Sequence, residues 1–137
     1  MQKYKFINDL TSDVLFEAYG KDLKEVFENA ALALFSIICQ LDKVKPKDTE
    51  EFEIKGENEE DLMFNWLQGL IAIVDTEHMF FSKFKVEEID KTHIIAKLYG
   101  EPATPEKGET VVKAVTNYKY SFKKTKEGYK VMVSLDI

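Results

Sequence analysis

Apolar positions recur at three- and four-residue spacing in two stretches of the chain. Leu23, Val26, Phe27, Ala30, Leu34, Ile37, Ile38 and Leu41 make one apolar face of a helix running to about residue 40. Asp22 precedes it as an N-cap, and Glu25 is placed to reach back in a capping-box arrangement. Lys45-Pro46 ends that region. The second face is Leu62, Met63, Trp66, Leu67, Leu70, Ile73 and Val74, opened by Asn58-Glu59-Glu60-Asp61, whose acids suit the positive end of the helix dipole. Gly69 is a poor helix former, and its place inside this pattern predicts close packing.

Elsewhere the period is two. Residues 3–7 and 12–19 predict short strands separated by turn chemistry at Asn8 to Asp13, and Gly20 closes the second. Residues 51–55 alternate strictly until Gly56 breaks the pattern. Strands are then predicted at 80–89 and 93–99 around Asp90-Lys91, and at 111–123 and 128–135 around Lys126-Glu127-Gly128. The stretch 100–108, with Pro102 and Pro105, reads as a loop. The order ββαβα followed by four strands predicts a two-layer α+β domain, a mainly antiparallel sheet with two helices packed on one side. No linker or repeat divides residues 1–137, so one domain is expected.

Composition narrows the function. A net charge of −6 opposes strong free-standing binding to nucleic acid and favours cations or basic protein surfaces. The lone Cys39 rules out an internal disulfide, and its apolar run Leu34 to Cys39 reads as core. No stretch is apolar enough to span a membrane and the first residues lack a leader pattern, so a cytoplasmic protein is expected.

Enzyme signatures are absent: no Gly-rich phosphate loop, nucleophile elbow, H-E-x-x-H or C-x-x-C. His78 and His93 read as ordinary surface histidines, and the acidic runs 48–51 and 57–61 as solvated or helix-capping charge. One feature is less ordinary. Asp136 is penultimate and Ile137 last, which sets a side-chain carboxylate one residue from a terminal one, and hard cations such as Ca²⁺, Mg²⁺ or Mn²⁺ take oxygens of this kind. Taken alone, an acidic terminus more often frays into solvent.

Thr11-Ser12-Asp13-Val14, Ala18-Tyr19-Gly20 and Phe27-Glu28-Asn29-Ala30-Ala31-Leu32, then Trp66-Leu67, Tyr99-Gly100-Glu101, Val112-Lys113-Ala114-Val115-Thr116 and the closing Leu135-Asp136-Ile137, run in the order found in archeases. The chain resembles that family from about residue 3 to its end. The resemblance implies a non-enzymatic accessory protein that activates the GTP-dependent RNA ligase of tRNA splicing, promoting guanylylation and multiple turnover. It implies a divalent metal on Asp13, Asp136 and the backbone carboxylate of Ile137, and a part in activation for Lys113. Calcium is one candidate; magnesium or manganese shared with the ligase is another. The family is also associated with a chaperone or modulator role toward RNA-modifying proteins, and a metal-dependent hydrolase ranks below both readings. Two departures stand out: Leu10-Thr11-Ser12-Asp13 where many members have His-Thr-Ala-Asp, and Thr116-Asn117-Tyr118 where they have Thr-Tyr-His.

Overall fold

The computed structural model describes residues 2–8 and 13–137. Its elements are β1 (Tyr4–Ile7), β2 (Val14–Gly20), α1 (Leu23–Ile38), β3 (Asp48–Lys55), α2 (Glu59–Glu77), β4 (Met79–Ile89), β5 (His93–Pro102), β6 (Ala114–Thr125) and β7 (Gly128–Asp136). Short 3₁₀ turns occupy Leu41–Lys43 and Pro105–Lys107. The order is the predicted one, and among the described residues every strand pairing is antiparallel. Ser12 of the predicted strand 12–19, and Asp9, Leu10 and Thr11 of the turn before it, lie outside the described residues.

The strands divide between two sheets, β1-β2-β7-β6 and β3-β5-β4, where the pattern suggested one. Alternation tells which side of a strand is buried but not which strand lies beside it. The helices serve both sheets: α1 packs on β2 of one and β4 of the other, and α2 on β6 and β3. That explains why α1 buries Val26, Phe27, Asn29, Ala30, Ala31, Ala33, Leu34, Phe35 and Ile38, an arc wider than a helix facing one sheet requires.

Trp66 of α2 ties these layers together. It is fully buried, its indole N–H donates to the Phe27 carbonyl at 3.0 Å, and its ring lies 6.3 Å from that of Phe27 and 5.8 Å from that of Phe52. The predicted close packing at Gly69 is present, since a Cβ there would stand 2.9 Å from Ile54 Cδ1 and from Phe52 Cζ.

Both helices start with the same device. Asp22 accepts from the Glu25 amide at 2.9 Å while Glu25 accepts from the Lys21 amide at 3.0 Å. Asn58 accepts from the Asp61 amide at 2.8 Å while Asp61 accepts from the Glu57 amide at 2.8 Å. At each start one orphan helix amide is satisfied, and the amide just before the cap is tied to the first turn.

The predicted strand 111–123 begins only at Ala114. Upstream, the amides of Glu109 and Thr110 donate to Ile38 and Ile37, satisfying carbonyls that the end of α1 leaves open. This draws the segment toward the helix, and Val112 is buried while Lys113 is exposed. β6 is then interrupted by a register shift between Thr116 and Ser121.

Cys39 is buried as expected, and burial, helped by the nearby Glu109 charge, pushes its thiol up to about 12. The thiol therefore stays protonated through pH 8, and native protein should resist a thiol-reactive probe that labels it fully in denaturant. Labelling at equal rates in both states would refute the assignment. Gly100 lies in β5 between β3 and β4, where a Cβ would come within 1.9 Å of the Phe80 carbonyl oxygen. With backbone on the other side, little can give way, so Gly100→Ala should lower unfolding free energy in urea by about 3 kcal/mol.

Candidate functional site

Strand register decides what meets at one end of the four-stranded sheet. Val14 pairs with Leu135, so Asp13, just before β2, and Asp136, the last residue of β7, extend the same ladder. Ala114 of β6 pairs with Asp136 on its other side, and the Lys113 amide donates to the Asp136 carbonyl at 2.7 Å. Residues far apart in sequence, Asp13, Lys113, Asp136 and Ile137, are thus gathered at one sheet end. Ile137 is 42% exposed, while Asp13 and Asp136 are half-buried.

Two neighbours shape this end. The Ser134 hydroxyl, fully buried, donates to Asp13 Oδ2 at 3.2 Å. Thr116 pairs with Ser134 across the ladder, and its Oγ1 is buried with no hydrogen-bond partner. Partners in an antiparallel ladder share a face. The Ser134–Thr116 pair and the next pair, Asp136–Ala114, therefore present their side chains on the face opposite Val133 and Leu135, which belong to the core.

The donor chemistry here is all oxygen: two carboxylates, a serine hydroxyl already engaged and a threonine oxygen without a partner. Such a set fits a hard divalent cation better than a soft or redox metal. Among the described residues, no three His, Cys, Asp or Glu side chains come together as a metal cluster. A third charged donor has to come from elsewhere than a side chain of those types.

Nothing in the sequence marks Ser134 or Thr116 as part of this sheet end. Alternation with Val131, Val133 and Leu135 marks Ser134 as lying off the core face, but nothing in the sequence signals its contact with Asp13. Regular alternation starts only at Ala114, so Val112 and Val115 are both buried while Lys113 is exposed.

Both histidines are far from this end in chain and role. His78 caps α2 in the left-handed conformation, φ 54°, its amide donating to Val74. His93 pairs with Glu53 across β5 and β3, and this hydrogen bond holds the Glu53 carboxyl below its usual range. No helix among the described residues is long and apolar enough to cross a membrane.

The chain is similar to known proteins along its length. The sequence model of the archease protein family matches residues 4–137. The chain is 38% identical to the archease of Sulfurisphaera tokodaii over 140 residues, covering 100% of both chains. It is 39% identical to that of Methanosarcina acetivorans over 142 residues, covering 99% of this chain and 97% of the other. Among solved structures, protein 1598 of Methanobacterium thermoautotrophicum superposes with a TM-score of 0.84 at 36% identity, covering 100% of both chains. A Thermotoga maritima protein described as an archease, possible chaperone, shares the fold, with a TM-score of 0.69 at 18% identity over 100% of this chain and 98% of that one. The chain belongs to the archease family.

Proposed function

We propose that this protein is a non-catalytic accessory factor for a GTP-dependent RNA ligase of tRNA splicing, promoting the ligase's guanylylation and repeated turnover. In this reading Asp13, Asp136 and the terminal carboxylate of Ile137 hold a divalent cation, calcium or a magnesium or manganese ion shared with the ligase. The observation that carries it is the β2–β7 register, which sets Asp13 beside the end of the C-terminal strand.

The parts divide the work. Ser134 holds one oxygen of Asp13 and thereby orients the carboxylate, leaving its other oxygen to face a ligand. β-ladder bonds fix the main chain at Asp136, so its side chain starts from a rigid strand rather than a loose tail. Lys113, anchored through its own amide but exposed at its side chain, presents an ammonium to a phosphate or carboxylate of the partner. A cation bound at the carboxylates would supply positive charge against phosphate oxygens in the ligase site.

A second reading, a chaperone or modulator of RNA-modifying proteins, draws on one surface feature. Val111 is 77% exposed and borders an apolar cavity of about 280 Å³ lined by Ile38, Ile71, Val74 and Phe80. Exposed apolar surface of this kind binds non-native chains.

Under the ligase reading, catalytic amounts of the protein should accelerate guanylylation. Asp13→Ala or Asp136→Ala should cut that acceleration by roughly a hundredfold, in line with loss of a metal-positioning group, with circular dichroism and melting temperature little changed. Undiminished stimulation by both variants would sink the mechanism. Calorimetry with Ca²⁺ and with Mn²⁺ should show a single site in the isolated protein that Asp13→Ala/Asp136→Ala removes; equal heats from wild type and double variant would exclude this site. Val111→Asp separates the readings, because it should leave cation binding intact and abolish suppression of aggregation only if the chaperone reading holds.

A further inference from the structure

The outer face of the four-stranded sheet has a second end, about four strand residues from Asp13 along β2, or roughly 13 Å. There Glu17 is buried to 8% exposure on the floor of a cavity of about 390 Å³. Lys5 reaches toward it from β1 and Lys130 from β7, their Nζ atoms 3.7 Å and 3.6 Å from its two oxygens. Tyr19 donates its hydroxyl to Glu17 at 2.8 Å, and burial followed by this contact raises the phenol to about 12, so it stays protonated at neutral pH.

The lysines are not used up by this contact. Both separations exceed a normal hydrogen bond, one carboxylate is shared between two ammoniums, and the Lys5 and Lys130 side chains remain 48% and 40% exposed. Lys123 stands directly opposite Lys130 across the β6–β7 ladder. Like charges so paired repel, which is a cost without a counter-ion. Glu127 also lines the cavity. The cavity lining carries two ammoniums and two carboxylates, and Lys123, outside that lining on β6, adds a third ammonium beside Lys130 in a chain whose net charge is −6. Glu17 serves as a buried post that steers two lysines over the opening.

We propose that the cavity formed by Lys5, Glu17, Tyr19 and Lys130 is a binding site for a phosphate group. Lysine ammoniums bind phosphate as point charges, and an anion held by Lys130 also lowers the repulsion between it and the neighbouring Lys123. The group comes either from the backbone of a single-stranded RNA or from a free phosphate. The proposal is independent of the cation site at the other end.

The test is a ¹H–¹⁵N NMR titration of the full chain with inorganic phosphate and, separately, with a six-nucleotide oligouridylate lacking terminal phosphates. Saturable shifts at the amides of Lys5, Glu17, Tyr19 and Lys130 are expected. Response to phosphate assigns a free-phosphate site, and response to the oligonucleotide alone assigns an RNA backbone site. Lys5→Gln and Lys130→Gln should each weaken binding roughly fivefold or more. Glu127→Gln should tighten it. Lys85→Gln removes one charge from the exposed surface of β4 and should leave binding unchanged. No saturable shift with either probe, or equal weakening by Lys85→Gln and Lys130→Gln, overturns the proposal. Each variant's spectrum reports its own folding, and no ligase is present, so the outcome is separate from that of the activation reading.

Discussion

The pairing of β2 with β7 is the interaction on which the rest depends. It runs from Val14–Leu135 to Gly20–Tyr129 and joins nearly the two extremes of the chain. Its inner side sends Phe16, Ala18, Val131, Val133 and Leu135 into the core beneath α1, all fully buried. Its outer side carries Asp13, Glu17, Ser134 and Asp136. One ladder thus supplies both a large apolar contact and the relative placement of Asp13, Glu17, Ser134 and Asp136. A slip of one residue would exchange the two faces, burying carboxylates and exposing valines, so the apolar side enforces the register of the polar side.

The elements were legible because each has a local cause. Capping carboxylates, the apolar faces of α1 and α2 and the alternation of β3 to β5 are all near neighbours in sequence, and the strand and helix order follows from them. The partition into two sheets was not legible, because neighbouring strands such as β2 and β7 are chosen by the whole core. The start of β6 is not legible for a related reason: Glu109 and Thr110 answer open carbonyls of Ile38 and Ile37 at the end of α1, far away in chain order. At the candidate site, Asp13, Lys113, Asp136 and Ile137 came from family resemblance rather than from pattern. Ser134 and Thr116 came only from the fold, since a serine between the core residues Val133 and Leu135 says which way it points and nothing about what it touches.

Charge is sorted along the outer face of the same sheet. Asp13 and Asp136 sit at one end, and Lys5 and Lys130 flank Glu17 at the other, with Lys123 beside Lys130. Net charge conceals this, because −6 is an average over a surface whose local fields differ in sign. The acidic average argues against a protein that coats nucleic acid. It does not argue against one phosphate held at one place, where two or three ammoniums within a Debye length set the potential.

The positions of the acidic residues also separate function from stability. Asp13 lies just outside β2 and Asp136 closes β7, so neither carboxylate fills space in the core, and the hydrophobic contacts of Val14 and Leu135 persist without them. Ser134 differs, being wholly enclosed. Its hydroxyl is satisfied by Asp13, and removing that carboxylate leaves a buried donor seeking a partner, a cost of about 1 kcal/mol. The orphan Thr116 Oγ1 lies across the ladder on the same face and offers a replacement acceptor. A hydroxyl pair that can repair itself makes the sheet end tolerant of losing its charge, which is why loss of activation without loss of fold is the outcome this architecture favours.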